Sequence, residues 1–468
     1  MGTTGIAIGR FFGSPGFKFF LIAGLVLALL IPMVFVWFII DEREDRARDV
    51  RKEVAREWGK SQTITGPFLI VPYTTVVGST EKDGEREEQL REHYAVFLPQ
   101  TLNIRGEAET KVLHRSIYDV AVYTGTIGFE GRFGAPDMTK VSADVHNVRW
   151  RDAVIAVGIS DLSGLKTTAS LLIDEKTKIV FEPSAGVPSV SMSGIHARLV
   201  DATNLFDGTN SASSSMQGFT YRFKITLNGT SELSFAPVAV ETTVDLSSDW
   251  PDPSFTGAFL PTERDVNSSG FSARWQVPNL ARSMPQAWTL KESSGFGRAD
   301  RSLGRWSPYE FSVKFLFPVD FYKLVTRAAK YALMFLAAAF MAVFVLELRS
   351  ARHVHAVQYM FVGLTMIFFY VLLLSFAEHL GFLPAYLIAS GATGSMLSYY
   401  VARVQKSRVE GFIMLAVFVV LYGLLYLLLR LEEYALLAGA ITGFLLLAVV
   451  MFSTLRVEWS GREKPAPG

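Results

Sequence analysis

Between residues 328 and 454 the chain passes through five long apolar stretches broken by short polar connectors, at 331–346, 354–376, 382–401, 412–429 and 434–452. The first, YALMFLAAAFMAVFVL, holds no charge. Crossing the roughly 30 Å hydrocarbon core of a bilayer takes about 20 residues of helix, and each run reaches or approaches that length. Only helices and closed barrels span lipid, and these runs are too long and too evenly apolar for barrel strands. Five such helices buried in a soluble core would leave none with a polar face. The pattern predicts a C-terminal bundle of five transmembrane helices within 328–454, at about 329–348, 354–376, 382–402, 411–429 and 434–452. Because the first run is short, Lys330 and Glu347 are expected to extend their charged ends to the two membrane surfaces.

A sixth run, residues 19–40, has 22 residues without a charge, of which 16 are Leu, Ile, Phe or Val. It is too long for the apolar region of a cleaved signal peptide, and no small-x-small site precedes Asp41. It reads as a signal-anchor helix. Residues 41–60 are dense in both signs of charge, with Val50, Val54 and Trp58 four apart, as in an amphipathic helical stalk leaving the membrane.

Residues 61–327 have another texture. In FTYRFKITLN, Phe219, Tyr221, Phe223, Ile225 and Leu227 alternate with polar residues, which is the period of a half-buried strand. Further strand candidates lie at 68–77, 93–98, 117–127, 154–159, 171–173, 179–181, 233–235, 243–246, 271–277 and 310–315. Many short strands and no long helical pattern predict one large, or two smaller, antiparallel sandwich-like modules. The fold class is thus membrane α+β: a signal-anchor helix, a large β-rich periplasmic domain and five transmembrane helices.

Composition narrows the function more than the fold. Half of the 468 residues are apolar, and the net charge is +1, which gives no electrostatic footprint for nucleic acid. The chain has no cysteine, so thiolate metal sites, disulfides and cysteine nucleophiles are excluded. Lys and Arg in short loops set orientation. Arg349 and Arg352 follow one apolar run, 378–381 carries no cation, and Arg403, Lys406 and Arg408 follow the next. That alternation puts both tails, 1–18 and 455–468, in the cytoplasm and the β-domain in the periplasm. Against it, Arg43, Arg46, Arg48, Arg51 and Lys52 beyond the first helix outnumber Arg10 and Lys18 before it.

Seven pieces carry a likeness. They are TGPFLIVP at 65–72, YTG at 123–125, DWPDPSFTGAFLP at 249–261, GFSARW at 270–275, RAAKY at 327–331, HAVQY at 355–359 and EHLGF at 378–382. Together, and in this order, they resemble the CreD family of bacterial inner-membrane proteins. A proline commonly follows the histidine of HxxQY in that family, where this chain has Ala356. The resemblance implies an integral inner-membrane protein of cell-envelope maintenance tied to a two-component regulatory system. It carries over no catalytic residue.

Other constellations point to structure before chemistry. His353 and His355 form an H-x-H, but residues two apart do not share a helix face, so a metal site is disfavoured. Ser395 lies about 20 Å along its helix from the level of His379, too far for a dyad. Gly391/Ser395 and Gly394/Ser398 are small-xxx-small pairs suited to helix packing, as are Gly439 and Gly443. Trp250, Pro251, Pro253, Phe255 and Phe259 predict an irregular aromatic corner, since two prolines so close cannot sit in a central strand. Glu378 is expected to pair with Arg327, Lys330 or both, which are three apart on one helix face. No cofactor, metal or catalytic residue is expected. The reading is a non-enzymatic protein whose partners are the lipid bilayer and an envelope protein or polymer. The alternative is a transporter or lipid-handling protein, and a membrane hydrolase has the least support.

Overall fold

In a computed structural model the chain is described at residues 15–82, 85–187, 193–207, 215–290, 307–317, 321–350, 354–431 and 434–454. Most of the tail at 1–18, all of that at 455–468, and Arg352 and His353 lie outside the described residues. The chain divides into two compact units. One takes the chain up to Arg48 and again beyond Pro318; the other is Asp49–Pro318.

Helices make up the first unit: α1 (Pro15–Ala28), the start of α2 (Leu30–Trp58), α3 (Phe321–Lys330), α4 (Ala332–Ser350), α5 (Ala356–Leu380), α6 (Phe382–Gln405), α7 (Arg408–Arg430) and α8 (Ala435–Thr454). Among the described residues three helices are long and apolar enough to cross a membrane: Lys18–Trp58, which joins α1 and α2, Ala356–Leu380 and Arg408–Arg430. Helices α3 and α4 are bent by 50° at Tyr331 and make a fourth if counted as one broken span. In α2, Ala47, Val50 and Val54 are buried, while the acids and bases between them are largely exposed, the expected division of an amphipathic helix.

The second unit is built on two sheets whose inner faces share one apolar core. A ten-stranded sheet is ordered Pro253–Gly257, Phe311–Phe315, Glu232–Phe235, Gln62–Lys82, Val154–Ile159, Gly194–Arg198 and Glu182–Pro183, with Glu85–Phe97, Ala287–Leu290 and Asn147–Val148 attached off that path. An eight-stranded sheet is ordered Glu263–Asn267, Gly270–Pro278, Glu241–Ser248, Thr101–Arg115, Tyr118–Phe133, Phe219–Thr230, Ser170–Ile173 and Thr177–Val180. Aromatic rings bridge the sheets: Tyr123 lies 4.8 Å from Phe315 and Trp275 lies 5.4 Å from Phe311.

The sheets are not purely antiparallel, as the sequence reading had them. Gln62–Ile64 runs parallel to Leu233–Phe235, and Thr101–Ala108 runs parallel to Glu241–Ser248. The second pairing involves a strand absent from the sequence prediction, Thr101–Arg115. It lies between two partners in the middle of its sheet and buries little beyond Leu102, Ile104 and Ala108. Its remaining polar side chains stand on the outward face, which hides the period.

Candidate functional site

The outward face of the eight-stranded sheet is where chemistry collects in the β-unit. Strand alternation puts Phe219, Tyr221, Phe223, Ile225 and Leu227 in the core and turns Arg222 and Lys224 out. The same rule turns out Asn103, Arg105 and Glu107 on Thr101–Arg115, and Asp245 and Ser247 on Glu241–Ser248. A groove of about 750 Å³ crosses this face, lined by Arg105, Lys224, Arg264 and Arg274 and by Glu107, Asp245, Glu263 and Asp265. A hollow of about 340 Å³ continues it past Arg105, Gly128 and Lys224 to Glu130 and Arg222. Gly128 helps open it: a Cβ there would meet nothing nearer than the Arg105 carbonyl oxygen at 3.8 Å.

Ion pairs cross this face. Arg274 Nε lies 2.5 Å from Asp245 and its Nη1 3.6 Å from Glu263; Arg105 lies 3.2 Å and Arg222 3.6 Å from Glu130. The hydrogen bond to Asp245 and the charges of Asp245 and Glu263 hold Arg274 still more firmly in its charged form. Exposed pairs of this kind contribute about 0–1 kcal/mol each, so a partner can exchange them at little cost. The face therefore offers donors and acceptors of both signs at strand spacing.

Among the described residues of the helical unit, the side chains of Glu347 and Glu378 are largely shielded from water. Glu347 on α4 is 5% exposed. It pairs with Lys18 and accepts the Val354 backbone N–H and the Tyr359 hydroxyl, each at 2.9 Å. The sequence reading expected Glu347 to reach a membrane surface; the structure gives its carboxylate protein partners. A cation, an amide and a hydroxyl replace the water that it would otherwise seek. Glu378, at the end of α5, has a side chain only 8% exposed. It accepts the Tyr322 hydroxyl at 3.2 Å and lies 4.0 Å from Arg43 Nε. Neither figured as a partner of Glu378 in the sequence reading, and Arg43 comes from the far end of the chain. Of the two cations that did, Arg327 donates to the Leu429 carbonyl at 3.1 Å and Lys330 is exposed.

The remaining candidates separate by place. Gly394 faces α7, where a Cβ would lie 3.6 Å from Phe418, and Ser398 is buried beside it. Gly391 and Ser395 are exposed, and a Cβ on Gly391 would meet nothing within 4 Å. The last helix packs through its glycines: a Cβ on Gly439 would come 3.1 Å from Tyr331, and one on Gly443 3.6 Å from Met334. In the corner, Pro253 does not sit in irregular chain. It opens an edge strand, Pro253–Gly257, whose one sheet partner is Phe311–Phe315. An edge can lack a donor without breaking a ladder, which reconciles the proline with the strand. Trp250 is buried, and Phe255 packs edge-on against Phe271 and Trp275.

The CreD family profile, described as "Inner membrane protein CreD", matches residues 14–460. The chain is also 30% identical over 443 residues to the inner membrane protein CreD of Escherichia coli (strain K12), covering 94% of this chain and 93% of that protein. The chain belongs to the CreD family. It is accordingly a bacterial inner-membrane protein.

The CreD-like motifs now acquire physical roles. In TGPFLIVP, Gly66 has φ +119, and a Cβ there would come 3.1 Å from the Ala156 carbonyl; the ladder shifts register between Thr65 and Phe68. In YTG, Tyr123 is buried and donates to the Glu232 carbonyl at 2.8 Å. Burial pushes its hydroxyl well above the usual tyrosine range and keeps it a donor. In HAVQY, His355 caps α5 and Gln358 completes a capping box, while Tyr359 reaches Glu347. Ala356 is the first helical residue, the position where proline is also favoured. In EHLGF, Gly381 with φ +79 ends α5 and leads into α6.

Proposed function

We propose that this chain is a non-enzymatic, multipass inner-membrane protein of cell-envelope maintenance and stress response, whose β-unit faces the periplasm and binds an envelope component. In this reading α3 and α4 form one broken span, α5 to α8 complete five C-terminal spans, and both termini are cytoplasmic. The observation that carries the proposal is the grooved, charge-balanced face of the eight-stranded sheet. Four cations interleaved with four carboxylates suit a protein, or a polymer bearing peptides, better than a polyanion, which would need an excess of one sign.

Two measurements test this. The first is orientation, which the absence of cysteine makes simple. A cysteine at Ser247, in the groove, reacts in intact cells with a thiol reagent that cannot cross the inner membrane, and one at Ser407 reacts only after that membrane is opened. Ser247 serves better than Ser213, which lies outside the described residues. Labelling in the reverse pattern would place the β-unit in the cytoplasm. The second is occupancy. A photocrosslinker at Thr126 traps a discrete envelope component, and Gly128→Leu fills the groove and abolishes the adduct while leaving the melting temperature unchanged or raised. An adduct that survives Gly128→Leu at full yield removes the groove from the interface.

A further inference from the structure

The hairpin of α6 and α7 carries a second groove, independent of the β-unit. Its deeper part, about 400 Å³, is walled by Leu387, Gly391 and Ser395 on α6 and by Leu415, Val419 and Gly423 on α7. Hydroxyls along this part of α6 are already spent on helix carbonyls: Ser390 donates to Tyr386 at 2.6 Å and Ser395 to Ala392 at 3.1 Å. The wall therefore presents carbon to an occupant. A Cβ on Gly391 or Gly423 would meet nothing within 4 Å, so the space is open because these side chains are missing. Ser395 and Leu415 also line a second hollow of about 640 Å³, so the two are continuous. The second hollow ends at Arg403, Lys406 and Arg408.

Those three cations are exposed, and none of them is in an ion pair among the described residues. Tyr399 holds one in place: Arg403 Nε donates to its hydroxyl at 3.0 Å, and the guanidinium lies 5.3 Å from the ring centre. Lys406, with φ +52, closes α6 and turns the chain into α7. The one acid between residues 382 and 430 is Glu410, which lies in the first turn of α7 and does not line the groove. From Lys406 back to Gly391 is about 22 Å of helix, close to half of a 40–45 Å bilayer with its head groups. An apolar slot one leaflet deep with a cationic mouth matches a single amphiphile. We propose that the α6–α7 hairpin binds an anionic phospholipid, its phosphate among Arg403, Lys406 and Arg408 and an acyl chain along Ser395, Gly391 and Gly423.

The test uses the full-length protein in phosphatidylcholine vesicles with trace phosphatidylglycerol that carries a diazirine in its acyl chain. Photolysis should concentrate the label on peptides from α6 and α7. Unlabelled phosphatidylglycerol should compete, and neither excess phosphatidylcholine nor free glycerol phosphate should. Replacing the three cations by glutamine should lower labelling at least tenfold, since each is worth about fivefold near an anionic surface. Gly423→Leu should lower it as well, without lowering the melting temperature. Equal labelling by a phosphatidylcholine probe would reduce the groove to ordinary lipid contact and overturn the proposal. Competition by glycerol phosphate would assign the cations to a free phosphate and overturn it too. So would a disulfide-linked dimer through cysteines at Gly391 with no lipid label, which would give the groove to a second copy of the chain.

Discussion

Glu347→Ala lowers the stability of the full-length protein by about 3–5 kcal/mol, the usual cost of breaking a buried ion pair by removing one partner. Among the described residues, the Lys18 ammonium, the Val354 N–H and the Tyr359 hydroxyl converge on this carboxylate. Removing it leaves a half-buried cation without its partner and two donors without their acceptor. The two neutral donors left unsatisfied cost about 1–3 kcal/mol each, so the broken charge pair and the orphaned donors both contribute to the loss. Replacing both charged residues, with Lys18→Met and Glu347→Leu together, therefore recovers the part of the loss that comes from the unpaired cation. Adding Tyr359→Phe recovers part of the rest. Thermal unfolding of the purified protein in detergent reads all three. The loss should persist at high ionic strength, since a buried pair is poorly screened. A double variant no more stable than Glu347→Ala alone would mean that the amide and hydroxyl, not the lysine, set the cost.

Local pattern made the helices and the regular strands legible, and long-range pairing hid the rest. FTYRFKITLN announces itself because one face is wholly apolar and the other wholly polar. Thr101–Arg115 is as long a strand, yet only Leu102, Ile104 and Ala108 carry its buried face, and RGEAETK reads as a loop. Its strand character is imposed by Tyr118–Phe133 on one side and Glu241–Ser248 on the other. The partners of the carboxylates were hidden differently. Glu347 at the end of an apolar run looks as if it seeks the membrane surface, because its cation lies 329 positions away at Lys18. Glu378 was assigned the cations nearest in the predicted topology, whereas Arg43 approaches it from the N-terminal helix. The Tyr in HAVQY was the one local sign of a polar partner for Glu347, and the motif was read only as a family mark. The sheet-face groove depends on Gly106 and Gly128 meeting Arg105 and Lys224 across a register that sequence alone does not supply.

Trp250→Ala lowers the stability of the β-unit by about 3–5 kcal/mol, as for other buried aromatics. The indole is 7% exposed and its ring meets Phe317 edge-on at 5.5 Å. Its N–H donates to the Asp252 carbonyl at 3.1 Å and to the Leu316 carbonyl at 3.2 Å. Those two carbonyls stand on either side of the edge pairing in which Pro253 faces Phe315. One side chain thus ties the start of the edge strand to the residue that follows its partner strand. Trp250→Phe separates the two contributions: it keeps most of the apolar contact and removes the donor, so it should cost about 1–3 kcal/mol. Urea unfolding of the two variants beside the parent protein, followed by far-ultraviolet circular dichroism, gives the comparison. An indole that served a ligand instead would lose binding while the unfolding midpoint stayed put. A midpoint that falls in the order Trp250→Ala below Trp250→Phe below parent, with Thr126 crosslinking retained in whatever remains folded, assigns Trp250 to holding the sheet edge and leaves partner recognition to the grooved face.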